Sequence, residues 1–400
     1  MGHIFLFNLL PLPMNYQCIS ADSHIDLSWL PPDLFITNSS AAFRDRLPYV
    51  VDSADGRRWV TKRGTQFGFA CGLGGFGRKY VPGVVHRADV MAAEGIYSEQ
   101  SMASRRITDP EQRIKDQDQD GVQAEVLYGV IGAVGMLDDA EAACEMAGIY
   151  NDWLADFCKT HPDRLWGLAL IAPTNVDRAV EELRRVARLG ARGVELSISH
   201  DMVPLVSANW EPFWKVLNET GLPIHFHTIS ARQAGAPPNQ SKQEARVAWS
   251  VLVSMFQLHS SEYLISMIFS GVLERYRNIR MVLGESGIGW IPYMLERMDY
   301  LWEEQFRDLP IVMKPSEYWR RQCKATFQYD ELGVRLLDML GAETLMWSSD
   351  FPHADGVWPE SQDFIRRQFG HLPEAVRKQI ICDNALSLYG AGARSTRSAA

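Results

Sequence analysis

The sequence predicts an α/β chain folded as a (β/α)8 TIM barrel with a long insertion after strand 1. Three observations predict it. Short β-rich runs alternate with amphipathic stretches from about residue 120 onward. Such runs number eight, which suits closure of a parallel sheet. One interval, between the first run and the second, is far too long for a single connecting helix.

The first strand is read at 17–24 (QCISADSH), followed by 124–130 (AEVLYGV), 165–172 (LWGLALIA) and 191–197 (ARGVELS). Four more follow at 222–228 (LPIHFHT), 279–285 (IRMVLGE), 324–330 (KATFQYD) and 344–350 (TLMWSSD). Helical spacing fills the gaps, as where Val180, Leu183, Val186 and Leu189 recur every three residues within 177–189. Residues 109–121 (DPEQRIKDQDQDG) read as the first barrel helix, with Pro110 suited to its first turn. That leaves 27–105, rich in Gly, Pro and aromatic residues, as the insertion. Because it leaves strand 1 at the C-terminal face, where barrels build active sites, it is expected to wall and cap a pocket. Residues 17–390 are thus the barrel domain, 1–16 an N-terminal extension with Met14 as an alternative start, and 391–400 a disordered tail.

The formal charge of −9 excludes a nucleic-acid partner, which would require a surplus of Lys and Arg. The apolar segment MGHIFLFNLLPLP lacks a basic flank and cleavage site and is too short to span a bilayer, so no membrane partner is expected. Six cysteines at irregular spacing read as free thiols in a reducing, cytoplasmic setting.

Three segments carry the chemistry. In Asp22-Ser-His24-Ile-Asp26, residues two apart share a strand face, so Asp22, His24 and Asp26 can point together into the barrel mouth. Pro223-Ile-His225-Phe-His227 places two imidazoles on one face, costly to bury without partners. Ser348-Ser-Asp350-Phe-Pro-His353 closes the last strand, where a catalytic aspartate belongs. By contrast, Gly72-Leu-Gly74-Gly-Phe-Gly77 matches a dinucleotide fingerprint without a preceding strand or following helix and reads as a loop. His86, His161, His200, His259 and His371 receive no role.

The segments DSHID, DPEQRIKDQDQDGVQAEVLYG, HPDRLWGLALIAP, GLPIHFH, VLGESGIGWIPYMLERMDY and LMWSSDFPH, between residues 17 and 389, resemble the amidohydrolase-related branch that includes aminocarboxymuconate-semialdehyde decarboxylase and γ-resorcylate decarboxylase. The resemblance implies a metal-dependent enzyme. In that pattern His24 and His227 match metal ligands, Asp26 stands where a second His would be, Glu285 replaces the sixth-strand His, and Asp350 matches the eighth-strand Asp. The implied ion is therefore held by His24, Asp26, His227 and Asp350, with Asp350, Glu285 and His225 as catalytic groups and Arg297 and His353 at the substrate. In relatives the Arg297 position serves a substrate carboxylate, sometimes across a homodimer interface; a surface ion pair is the alternative reading.

Strand four, ARGVELSIS, lacks the bridging Lys of two-metal relatives, so one divalent ion is expected: Zn²⁺, Mn²⁺ or Mg²⁺. Glu195 on that strand either points inward or pairs with an Arg. If Glu285 acts, the face shared by Met281, Leu283 and Glu285 is the inward one; otherwise Ser286 lies inside. Two chemistries compete. Carboxylates in place of imidazoles favour hydrolysis of a small carboxylated substrate by activated water, whereas the resemblance favours non-oxidative decarboxylation of an aromatic or muconate-type acid. A non-catalytic binding barrel would bind no metal.

Overall fold

The computed structural model describes residues 14–97, 106–130, 132–137, 139–198, 202–228 and 241–390. Most of the N-terminal extension, the 391–400 tail and His200 lie outside these residues. Eight strands form the barrel sheet: β1 (Ile19–Ile25), β2 (Ala124–Gly129), β3 (Leu165–Ile171), β4 (Gly193–Leu196), β5 (Ile224–His227), β6 (Met281–Gly284), β7 (Cys323–Phe327) and β8 (Leu345–Trp347). They pair in sequence order and in parallel, as the alternating pattern predicts. The later strands end earlier than the sequence suggests. Glu285 and Asp350 lie just beyond β6 and β8, outside the ladder.

The connecting helices form because each carries one apolar stripe between good end signals. The helix Val176–Leu189 starts at Asn175, whose side chain accepts from the Arg178 N–H, and stops at Gly190 with φ 95°. Ala179, Val180, Leu183 and Val186 are buried, whereas Leu189 is exposed because it occupies the final turn. The helix Pro110–Asp120 is capped by Asp109 and ends at Gly121, φ 71°. Among the described residues, no helix is long and apolar enough to cross a membrane.

Alternation sorts the strand side chains into two layers. Ile224, Phe226, Met281 and Leu283 pack outward against the helices. Val126, Tyr128, Trp166, Leu168 and Val282 fill the barrel interior, with Ala385, Leu388 and Tyr389 of the helix Asn384–Tyr389 packed against them. The sheet has β1 and β8 at its two ends, and these meet without a regular ladder. Their seam is closed by the Asp350 N–H donating to Asp22 O (2.9 Å), the His24 N–H to Phe351 O (2.7 Å) and the Ser349 N–H to Ser20 Oγ (2.9 Å).

The insertion carries a three-stranded antiparallel sheet (Tyr49–Ser53, Gly56–Val60, Gln66–Phe69) and the helix His86–Ala93. Its Gly-rich segment is a turn, as expected: Leu73 and Arg78 exchange backbone hydrogen bonds of 2.7 and 3.1 Å. A Cβ at Gly68 would lie 2.1 Å from Phe76 O, so only glycine allows the turn to close. The insertion docks on the chain after β8, where Trp29, Leu73, Met91 and Tyr97 pack with Phe351, Ala354 and Trp358. Tyr97 Oη donates to Pro352 O (2.9 Å), while Arg87 donates to Gly356 O (3.3 Å) and Trp358 O (2.8 Å) and pairs with Glu360.

Charged donors to carbonyls contribute about 1.5–3 kcal/mol each, so Arg87→Met is expected to loosen this docking by about 1–3 kcal/mol. Limited proteolysis should then cut within 27–97 faster than in the parent protein. Unchanged cleavage would show that Arg87 does not hold the insertion.

Candidate metal centre

The inward turn of Asp22 begins with a bulge. Ser20 pairs with Glu125 and Ser23 with Leu127, so β1 spends one more residue than β2 over that step. Ala21 packs in the barrel interior, and the extra residue lets its neighbour Asp22 face inward too, followed by His24. On β5, His225 and His227 point inward by simple alternation, opposite to Ile224 and Phe226. Glu285 and Asp350 arrive differently. Both have left-handed backbones (φ 47° and 57°), which non-glycine residues rarely adopt and which cluster at functional sites.

For Glu285 that conformation replaces the expected alternation. Met281 and Leu283 face outward, against expectation, and Val282 inward. Continued regular strand would send Glu285 outward, but the turn returns its carboxylate to 3.6 Å from His227 Nε2. Ser286 Oγ donates to Gly287 O instead (2.9 Å).

Two buried groups of ligating side chains share His24: Asp22, His24 and His227 form one, and His24, Glu285, Asp350 and His353 the other. His24 Nε2 lies 3.1 Å from Asp22 Oδ1 and 3.0 Å from Asp350 Oδ1, and His227 Nε2 lies 3.8 Å from Asp22 Oδ1. All four atoms are buried and make no hydrogen bond among the described residues. A dry cluster of unsatisfied acceptors and imidazole nitrogens is costly unless a cation meets it. The two edges of about 3 Å that meet at His24 Nε2 are those expected between neighbouring ligands of a metal with bonds of about 2.0–2.2 Å, and a mixed imidazole–carboxylate set suits a divalent ion. The rest of Asp22 is already committed: Oδ2 accepts from Thr326 Oγ1 (2.6 Å) and the Glu285 N–H (2.8 Å), aiming Oδ1 at the others.

Asp26, expected as a ligand, does not join this convergence. β1 stops at Ile25, and Asp26 opens the turn Leu27–Trp29. Its Oδ2 accepts from His353 Nε2 (2.6 Å), and its Oδ1 is 3.9 Å from the other His24 nitrogen, Nδ1. The carboxylate beside His24 Nε2 is Asp22, two residues before the histidine rather than two after. The D-x-H alternation already contained that signal. His353, expected at the substrate, lies in the cluster, stacked on His24 (centroids 4.0 Å apart, 18° between planes) with Nδ1 3.1 Å from Asp350 Oδ1.

His225, read as catalytic, sits to one side of the convergence. Its Nδ1 is 2.6 Å from Tyr128 Oη, its ring stacks on Tyr389, and burial pushes it down to about 3, so it is neutral. Glu195 points inward without an Arg partner among the described residues, and burial pushes its carboxyl up to about 8. Arg297 lies exposed on the helix Ile291–Glu304, over the Tyr300 ring (5.7 Å), with no ion pair or hydrogen bond to the cluster.

The surroundings divide the carboxylates. Burial, then the Asp350 charge, push Glu285 well above the usual carboxylate range. Burial would also raise Asp350, but His353 and His24 outweigh it and hold Asp350 down as an anion. Burial lowers His353, yet Asp350 and Asp26 win and lift it well above its ordinary value. Burial and His353 depress His24, but Asp22 and Asp350 raise it to about 9.

The family described as Amidohydrolase matches residues 22–391. A γ-resorcylate decarboxylase of Rhodococcus jostii (strain RHA1) is 27% identical over 260 residues, 60% of this chain and 76% of that protein. Among solved structures, an amidohydrolase of Mycobacterium avium subsp. paratuberculosis K-10 superposes with a TM-score of 0.71 at 20% identity, covering 94% of this chain and 99% of that one. A dihydroxybenzoic acid decarboxylase of Polaromonas sp. JS666, with bound manganese and the inhibitor 2-nitroresorcinol, gives 0.60 at 21% identity over 77% and 94% of the two chains.

Metal titration separates the two carboxylates of β1. Asp22→Asn, His24→Ala and His227→Ala are each expected to lose an ion that the parent chain holds at micromolar metal, while Asp26→Asn keeps it. Gly284→Ala should behave like the first group, since its Cβ would lie 2.9 Å from His227 Cδ2 and displace that ring. Retention in Asp22→Asn with loss in Asp26→Asn would reverse the assignment.

Proposed function

The chain belongs to the amidohydrolase family, and from that premise we propose that it is a metal-dependent carboxy-lyase replacing the carboxylate of a hydroxylated aromatic acid by a proton. The observation that carries this reading is Glu285, whose carboxyl stands 3.6 Å from His227 Nε2 beside the ligand cluster and is pushed well above the usual carboxylate range, by burial first. A protonated carboxyl is a poor base for activating water and a suitable acid for protonating carbon. The leading sequence reading, hydrolysis, rested on Asp26 and Glu285 standing in place of imidazoles, with Asp350 as the base; the decarboxylase relatives support the other chemistry.

Asp22, His24 and His227 of one group, joined by Asp350 of the group that shares His24, would hold one divalent ion, with Mn²⁺ the first choice given the two carboxylates and the manganese-bound relative. When bound, the ion supplies positive charge that anchors an aromatic carboxylate and its neighbouring hydroxyl oxygen. Glu285 then gives its proton to the ring carbon bearing the carboxylate. A C–H bond forms, the C–CO₂ bond breaks, and its electron pair returns to the ring as CO₂ leaves. Glu285, left as the carboxylate, recovers a proton from solvent. His353, held as a cation between Asp26 and Asp350, keeps Asp350 anionic and oriented. The insertion, docked on the chain after β8, walls the mouth.

CO₂ release from γ-resorcylate and other ortho-hydroxy aromatic acids by the Mn²⁺-loaded protein tests the reading. Glu285→Gln should keep fold and metal while lowering turnover about 100-fold or more, the scale of a general acid. Ser286→Ala should be mild. Because the acid form of Glu285 is the active one, parental turnover should fall on the alkaline side, and that limb should vanish in the Gln variant. Hydrolysis of an ester or amide with no CO₂ from any of these acids would overturn the proposal.

A further inference from the structure

We propose that Arg113 is a positioning residue that fixes the two halves of the metal site against each other, an inference that rests on the ligand set proposed above. Asp22 and His24 come from β1 and Asp350 from the end of β8, the two strands that meet without a ladder. The spacing of His24 and Asp350 therefore depends on what holds that seam. Two backbone bonds cross it: the His24 N–H to Phe351 O (2.7 Å) and the Asp350 N–H to Asp22 O (2.9 Å).

Arg113 approaches the same peptides from the helix Pro110–Asp120. Its Nη1 donates to His24 O (2.9 Å) and its Nη2 to Phe351 O (3.4 Å), with the guanidinium 4.8 Å from the Phe351 ring centroid. Its Nε donates to Glu125 Oε2 (2.7 Å) on β2, which also accepts from Gln117 Nε2 (3.0 Å). One rigid group thus touches the carbonyl of a ligand on one side of the seam and the carbonyl next to a ligand on the other. It is also braced on the neighbouring strand.

Arg113 has 0% exposure, and burying a guanidinium is costly. Glu125 offsets the charge, but an ion pair alone would use only one edge. The remaining nitrogens go to the two carbonyls that bracket the ligands. The guanidinium fork holds its donors in a fixed plane, so shifting either carbonyl loses a bond; a Lys ammonium has no such fork.

The test compares Arg113→Lys and Arg113→Gln with Leu183→Ala, a cavity in the outer layer away from the seam, and with His24→Ala. Mn²⁺ affinity is measured by calorimetry and the Tm of the metal-free protein by thermal melting. Groups that orient metal ligands are typically worth 10–100-fold in affinity, so both Arg113 variants should raise the Mn²⁺ Kd by about that much. Leu183→Ala should lower Tm at least as far while leaving Kd within about threefold of the parent. An unchanged Kd in either folded Arg113 variant, or a rise matched by Leu183→Ala at equal loss of Tm, overturns the inference. If His24→Ala loses Mn²⁺ while the Arg113 variants keep it, this inference alone fails. Normal Mn²⁺ binding by His24→Ala overturns the ligand set and this inference together.

Discussion

The barrel mouth depends on the contact between β1 and the chain leaving β8. Everywhere else around the sheet, parallel ladders set neighbouring strands in register. At this one junction a few hydrogen bonds do the work: backbone to backbone at Asp22, His24, Asp350 and Phe351, and the hydroxyls of Ser20, Ser23 and Ser349 within 2.9–3.3 Å of one another. The acidic and imidazole side chains of the site stand on both sides of it. A regular ladder would have kept Asp350 in extended backbone; the irregular junction accommodates its left-handed conformation and turns its carboxylate toward His24.

Buried charge explains why the site is built so heavily. Asp22, Asp26 and Asp350 are anions in a dry enclosure, and each has an oxygen without a hydrogen bond among the described residues. The protein meets part of this cost with the His353 cation, seated between Asp26 and Asp350 and stacked on His24. A divalent cation would meet the remainder, so metal binding and stability should be linked. The same environment separates the carboxyls by role. Glu285, without a cationic partner as close as His353 is to Asp350, is pushed up by burial and by the Asp350 charge, whereas Asp350 is held down.

The fold was legible because its signals are local. All eight strands read from short β-rich runs, and the first barrel helix from Pro110 in its first turn; the caps at Asn175, Asp109, Gly121 and Gly190 likewise act within a few residues. Strand alternation made His24 and His227 legible as candidates, and the resemblance to the family pattern did so for Asp350. For Asp26 alternation was carried past Ile25, where the strand ends and the side chain turns to His353. Glu285 reaches the site through a left-handed turn, while the inward face argued for it, Met281 and Leu283, points outward. Arg297 lies on an exposed helix face, which no spacing argument could connect to the mouth. Arg113 could not be found from spacing at all, since its partners are backbone carbonyls distant in the chain.

In the proposed centre one divalent ion is held by Asp22, His24, His227 and Asp350, with Asp26 outside its coordination. Anomalous diffraction from crystals of the Mn²⁺-loaded protein tests it most directly. The account expects a single manganese peak per chain, bonded to His24 Nε2, His227 Nε2 and one oxygen each of Asp22 and Asp350, with Asp26 still bound to His353. A peak coordinated by Asp26, or two peaks in the mouth, would contradict it.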